Sequence, residues 1–522
     1  MTTPLEDQVA LLQQQLAQLQ SDKETDLQNV NNAITGTWVL LCAFIIFTMQ
    51  TGFALLEAGA VRSKNSRNVI LKACFDACAG ALAWWATGYA FAGPFYADHA
   101  YVQSTNGFIG NTFFFTSRQF GNWANWFFQF TFAATASTII NGAMSERTRM
   151  GAYLIYTSMS TGFIYPVVAH WVWSSAGWLS NYGGGAFGTP LANGLLDFAG
   201  AGVVHMTGGF VALVGAIMVG PRTGRFDRDG KAVVIPGHNS LLQGAGALLL
   251  WFGFYAFNCG STLATLDGWI GVGAMIAVNT TISAAAGGLT AMFIHLAIYD
   301  VYDLTALTNG FLAGCVAITS GCAYVEPWSA FIYGVVAAMM LTAGSHVLPL
   351  LKIDDPIDAF SVHGLGGMTG LFLTGWFATF ESVRFNIYGN NSDPWTWGFV
   401  YGGGGSQFGV QLLGIVSIGG WAITMGLIVF SFIKYMPGLG LRVPIEVEME
   451  GIDMSVHGGS AYPEMHMLMN AGGLPDASKY DPTPSVNRSV FIGANENGTD
   501  KFVPTEMVVK PDSSVPSTNN QV

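Results

Sequence analysis

Between residues 34 and 436 the chain alternates long apolar runs with short polar connections, and the runs have the length of membrane crossings. About 20 apolar residues of helix cross a hydrocarbon core roughly 30 Å thick. The pattern predicts eleven such helices, at 34–60, 70–93, 122–144, 150–172, 195–220, 239–260, 268–296, 305–323, 327–351, 358–379 and 408–436. Residues 1–33, ahead of them, are polar and helix-forming, with Leu5, Val9, Leu12, Leu16 and Leu19 in alternating steps of four and three. This two-heptad seam suits either a coiled coil or a short amphipathic helix lying on the protein's own surface. From 437 the chain turns polar again, and 470–522, rich in Pro, Asp, Ser and Asn, reads as disordered.

Basic residues in the connections set the orientation. One side receives Arg62, Lys64, Arg67, Lys72, Arg147, Arg149, Arg222, Arg225, Arg228, Lys231, Lys352 and Lys434, and the other only Arg118 and Arg384. The positive-inside rule then places the N-terminus outside and the C-terminus in the cytoplasm. His205 falls in the fifth span, in VVHMTGGFVAL, and His363 in the tenth, in SVHGLGGMTGL. Two units of five spans have opposite orientation in the bilayer, the inverted-repeat plan that builds sites at a midplane interface. The expected fold class is an all-α membrane protein of eleven transmembrane helices, an inverted five-plus-five repeat with one extra helix.

Composition agrees with the pattern. The chain is 51% hydrophobic and 10% charged, against about 25% charged in soluble domains. The net charge of −12 says little about partners, because much of the acidity lies in the tails. No basic patch supports a nucleic-acid role. The six cysteines form neither a disulfide framework nor a zinc spacing. With no activated nucleophile, cofactor loop or metal triad, the chain is not expected to be an enzyme or to carry a cofactor or metal. The polar, acidic N-terminus is not a cleavable signal peptide. Asn390 is the sequon on the outer side; Asn487 and Asn497 lie in the cytoplasmic tail, where they stay unused.

Two histidines within hydrocarbon carry the chemistry. An ionisable group there costs at least a few kcal/mol unless it faces a cavity or a partner. Glycines at 200, 202, 208 and 209, and at 364, 366, 367 and 370, let helices close around the imidazoles. A narrow apolar lumen with imidazoles as its polar wall could relay protons or bind a small hydride. Asp197 starts the fifth span, as a cap for orphan N–H groups or as an acidic group beneath a cation site. Asp354, Asp355 and Asp358, at the inner start of the tenth span, read mainly as caps and interface charges. Trp173, Phe128, Phe132 and Phe257, with Ser261 four residues after Phe257, offer ring faces and an oxygen to a cation.

The segments GFALLEAGAVRSKN, DFAGAGVVH, LTNGFLAGCVAIT, the DDP…VHG stretch and GIDMSVHGGSAY follow one another in the chain. In this order they resemble the ammonium transporter/methylammonium permease/Rhesus family over nearly all of 34–462. Trp173 and the last motif put the resemblance nearer the eukaryotic ammonium transporters than the Rhesus proteins. It implies an outer ammonium site at Trp173, Phe132 and Ser261, with the family's essential aspartate at Asp197. A gate of stacked rings falls on Phe132 and Phe257, the pore histidines on His205 and His363, and a pore-wall threonine on Thr319. It also implies a homotrimer with one pore per subunit, ammonium or ammonia and methylammonium as substrates, a plasma or similar membrane, and a regulatory tail at 437–469. Ser455 stands where plant relatives carry a phosphorylated threonine, and Gly366 where many members have cysteine. The N-terminal seam is not a general family feature. Two other roles fit the same residues: an ammonium sensor, and a passive channel for NH3 or CO2.

Overall fold

The computed structural model describes residues 5–93, 95, 106–117, 121–180, 194–386 and 396–463; Asn390 and the tail 470–522 lie outside them. Every predicted span coincides with helix, and among the described residues there is no strand, only isolated bridges such as Thr148 with Arg442. Among the described residues, eight helices are long and apolar enough to cross a membrane. The other predicted spans, at Trp123–Ala143, 150–173 and 360–377, are helical but diluted with hydroxyl, amide, histidine and glycine positions. Large apolar side chains on the outer faces are exposed, among them Leu248, Phe293 and Val416. A soluble protein rarely leaves such a surface uncovered, whereas a bilayer covers it.

The first helix runs unbroken as Leu5–Ala60, through the expected boundary at 33. No proline interrupts it, and Gly36 sits in open space, so nothing stops hydrogen bonds from propagating. Its outer part, up to about Val30, stands free: Leu5, Leu12, Leu19 and Val30 are all strongly exposed. The amphipathic alternative, a helix laid on the protein's own surface, is therefore not what forms. Two later helices start on side-chain caps. Asn239 accepts from the Leu242 amide at 2.9 Å and Asp303 from that of Ala306 at 2.6 Å.

Glycine sets how closely these helices cross. A Cβ on Gly246 would meet the Leu56 nitrogen at 2.3 Å, and one on Gly209 would meet the Gly364 nitrogen at 2.2 Å. The second contact is between the two histidine-bearing helices themselves, Ala201–Val219 and the run Phe360–Leu365 into Gly366–Phe377. Small residues at such crossings let backbones touch where lipid supplies no hydrophobic drive.

The connecting segments on one side are knitted by buried charge. Arg222 pairs with Glu146 at 2.8 Å and with Asp354 at 2.8 Å, and Arg225 reaches Asp354 at 3.1 Å. Arg147 donates to the carbonyls of Gly220 and Asp354, each at 2.7 Å. It thereby ties the end of one histidine helix to the segment leading into the other. These basic residues were expected in solvated connections; Arg147 and Arg222 are instead buried. Lys72 differs more, since it lies wholly buried inside the helix Ser66–Ala83. Counting positive charge along a sequence does not reveal that a neighbouring helix covers it.

Candidate functional site

A cavity of about 400 Å³ opens at one end of the bundle, with Trp173, Phe132, Phe128, Gln129 and Ser261 in its wall. Asn31, Asn32 and Thr35 of the first helix also line it. The Trp173 indole donates to the Asp197 carbonyl at 2.9 Å, which fixes the ring across the cavity floor. Ser261 donates its proton to the Phe257 carbonyl at 2.8 Å. Its oxygen lone pairs remain free for a donor in the cavity.

Beneath the floor the aromatic rings form a column. Phe132 meets Trp173 edge to face at 5.7 Å between centroids and stacks on Phe257 at 4.1 Å. His205 follows at 5.4 Å from Phe257, and His363 lies 5.2 Å beyond it. All four of Phe132, Phe257, His205 and His363 are buried. The two imidazole planes are nearly parallel, with their Nδ1 atoms 3.2 Å apart. A neutral imidazole carries one N–H. One Nδ1 therefore donates and the other accepts, so the pair presents one Nε2 lone pair and one Nε2–H. His205 Nε2 is buried without a hydrogen-bond partner.

Both histidines sit in π-helical turns, Ala201–Met206 and Phe360–Leu365. Such turns are rare and frequently mark functional sites. The first is built by Asp197 and Gly200. Gly200 takes φ +100°, and Asp197 Oδ2 accepts from the amides of Gly202 at 3.0 Å and Val203 at 2.9 Å. Asp197 is thus a cap, and it also orients Trp173; its side chain is not part of the cavity wall. Its Oδ1 stays buried without a hydrogen-bond partner. In the second turn Asp355 plays a similar part, accepting from the Phe360 amide at 2.8 Å.

Thr319 turns its hydroxyl back to the Val316 carbonyl at 2.7 Å, while its own carbonyl takes the Ala199 amide at 2.9 Å. It supports the loop that carries Asp197 and lines none of the three cavities. Ser455 lies far away in sequence on the short helix Ile452–His457, its hydroxyl 2.5 Å from Glu450. That helix docks on the start of Ser66–Ala83, where Asp453 accepts from the amides of Arg67 at 2.9 Å and Asn68 at 2.7 Å. Sequence reasoning passed over Gln129, the Asn31–Asn32 pair and Glu57. Glu57 lines a small cavity beside His363. Its position inside an apolar run was the available signal, by the same cost argument that singled out the histidines.

Long apolar helices around a buried aromatic and histidine column define an integral, multi-pass membrane protein. The Ammonium Transporter Family model matches residues 37–462, and the chain belongs to that family. It is 38% identical over 461 residues to Ammonium transporter Amt2 of Archaeoglobus fulgidus, covering 86% of this chain and 94% of that one. Ammonium transporter 1 member 1 of Arabidopsis thaliana is 42% identical over 424 residues, covering 78% and 81%. Among solved structures, Candida albicans Mep2 superposes with a TM-score of 0.69 at 28% identity, over 85% of this chain and 92% of that one. A structure described as Sensor Amt Protein gives 0.71 at 31%, over 83% and 100%. The curated relatives are named as transporters rather than enzymes, and family and structural likeness together support ammonium transport.

Proposed function

We propose that the protein carries ammonium across a plasma or similar membrane as a homotrimer of eleven-span subunits, with the N-terminus outside and the tail inside. The wide cavity is then the outer vestibule. Ammonium is held there on the faces of Trp173 and Phe132, each worth about 0.5–2 kcal/mol, and donates a hydrogen bond to Ser261. Methylammonium carries the same charge and three N–H donors and is a second substrate. Asp197 positions Trp173 and starts the turn that carries His205.

The Phe132–Phe257 stack closes the path below the vestibule. A desolvated cation crosses such a barrier at a cost far above what the rings return. Ammonium therefore loses a proton at the gate, and NH3 passes His205 and His363 with the proton relayed separately. Thr319 holds the passage wall through the loop at Ala199. The unbroken column from Trp173 to His363 is the observation that carries this reading. In the tail, phosphorylation of Ser455 would set a dianion against Glu450, and so release the docked helix. Asn390 is the proposed glycosylation site on the outside. The sensor description is that of a structural neighbour, and the column of rings leading from the vestibule to His363 favours transport here.

The reading is tested by current recording on proteoliposomes after an ammonium jump. Wild type should give a saturable current, and His205→Ala should lose it or admit K⁺. Entry of NH3, seen as internal alkalinisation, without any wild-type current would replace this reading with the passive channel.

A further inference from the structure

Glu57, three residues from the end of the first helix, is only 1% exposed. Its Oε2 accepts a hydrogen bond from the Asn141 side chain, while Oε1 has no partner. Together with His363, Phe53 and Asn309 it lines a cavity of about 20 Å³. By that measure roughly 10–15 Å³ holds one water, and ammonia is of similar size. A single small hydride in this space lies against both His363 and Glu57.

Behind Glu57 the helix Ser66–Ala83 places Lys72 and Asp76, both wholly buried. Lys72 Nζ lies 5.4 Å over the Tyr153 ring and has no hydrogen-bond partner. Asp76 Oδ1 accepts from Ser137 at 3.1 Å and Thr157 at 2.9 Å. The charges of Glu57, Asp76 and Lys72 act on one another, and Arg147 is the further cation felt by Lys72. Two buried carboxylates face Lys72 alone, because the Arg147 guanidinium is taken up by the carbonyls of Gly220, Ser145, Ala143 and Asp354. A carboxylate left without its own charge partner in a low-dielectric interior takes up a proton readily. Two hydroxyl donors favour the ionised form of Asp76. Glu57 has a single amide donor and faces the cavity, so the exchangeable proton belongs there. Asp358 already accepts from Ser345 at 2.7 Å and Asn309 at 3.2 Å, and Asp355 from the Phe360 amide at 2.8 Å; neither lines the small cavity.

We propose that Glu57 is the proton carrier at the exit of the twin-histidine passage, the group on which ammonia is turned back into ammonium. The inference rests on the transport reading above. A protonated His363 gives a ring proton to Glu57, forming the carboxyl O–H as the N–H breaks. Ammonia in the small cavity then takes that proton on its lone pair. Ammonium departs, and the carboxylate is restored. No other reactant enters.

Currents and size-exclusion profiles of wild type, Glu57→Gln and Glu57→Asp in the same proteoliposome assay decide the matter. Glutamine keeps the shape and the bond to Asn141, so a purely structural role predicts no change. A proton carrier predicts at least a tenfold smaller current in Glu57→Gln, with the half-saturating ammonium concentration within about twofold. Glu57→Asp should keep a measurable current whose dependence on internal pH is displaced. Wild-type current and pH profile in Glu57→Gln would overturn the proposal. Should that variant fail to fold, an unaltered profile in Glu57→Asp would overturn it equally. A silent wild type would instead bring down the transport reading, and this inference with it.

Discussion

At the scale of single residues, contact distance decides what can be changed. Gly209 and Gly366 lie on the paired histidine helices, yet they differ in what a methyl group would meet. A Cβ on Gly209 strikes the backbone of Gly364 at 2.2 Å, whereas one on Gly366 meets a Val316 methyl at 3.1 Å. Backbone cannot yield cheaply, and overpacking costs typically about 1–3 kcal/mol, occasionally more. Gly209→Ala is expected to lower the Tm in detergent by several degrees and abolish ammonium current. Gly366→Ala should do neither. The histidines and the aromatic residues were legible because an imidazole in hydrocarbon demands a reason. Glu57 and Lys72 made the same demand, but each lies within a few residues of a helix end. A sequence cannot tell a helix end in solvent from one covered by its neighbours.

At the scale of helices, every predicted hydrophobic run fell on helix, and eight of the helices are long and apolar enough to cross a membrane among the described residues, since length and apolarity are one-dimensional properties. The π-helical turns were not legible. They arise from a left-handed Gly200 and a carboxylate cap, a combination that ordinary loops also contain. Docking of Ile452–His457 was equally hidden, because it joins residues nearly four hundred positions apart. Asp453 serves there as the cap of another helix, and caps are worth about 0.5–2 kcal/mol. Asp453→Ala should therefore free the tail and make it several-fold more sensitive to limited proteolysis. Ser455→Asp should act in the same direction through Glu450, and Ser455→Ala should not. Equal cleavage of Asp453→Ala and wild type would show that the dock does not depend on this cap.

For the whole molecule, the ion network at one face joins segments that the sequence separates by up to about two hundred residues. Asp354 lies at its centre. Burial pushes its carboxyl up, but hydrogen bonds from Arg222 and the charge of Arg147 outweigh this and hold it at about 2. A folded value below the ordinary 3.8 means stabilisation that is complete above that pH and lost as pH falls through about 2. Detergent melting curves should show wild type losing its advantage over Asp354→Asn as the pH drops from about 4 towards about 2. A constant difference across that range would remove Asp354 from the acid response. The sequence supplied the charges of this network but not their pairing, which depends on how the bundle closes.

The unbroken first helix adds a mechanical consequence. Thr35 lies at the vestibule and Glu57 at the small cavity, about 33 Å apart at 1.5 Å per residue. Both belong to one rod, whose free arm runs on from about Val30 back to Leu5. That arm is a lever with its fulcrum in the packed crossing at Gly52 and Gly246. A partner that seized the exposed end could tilt the carboxylate at the other without touching the passage between them.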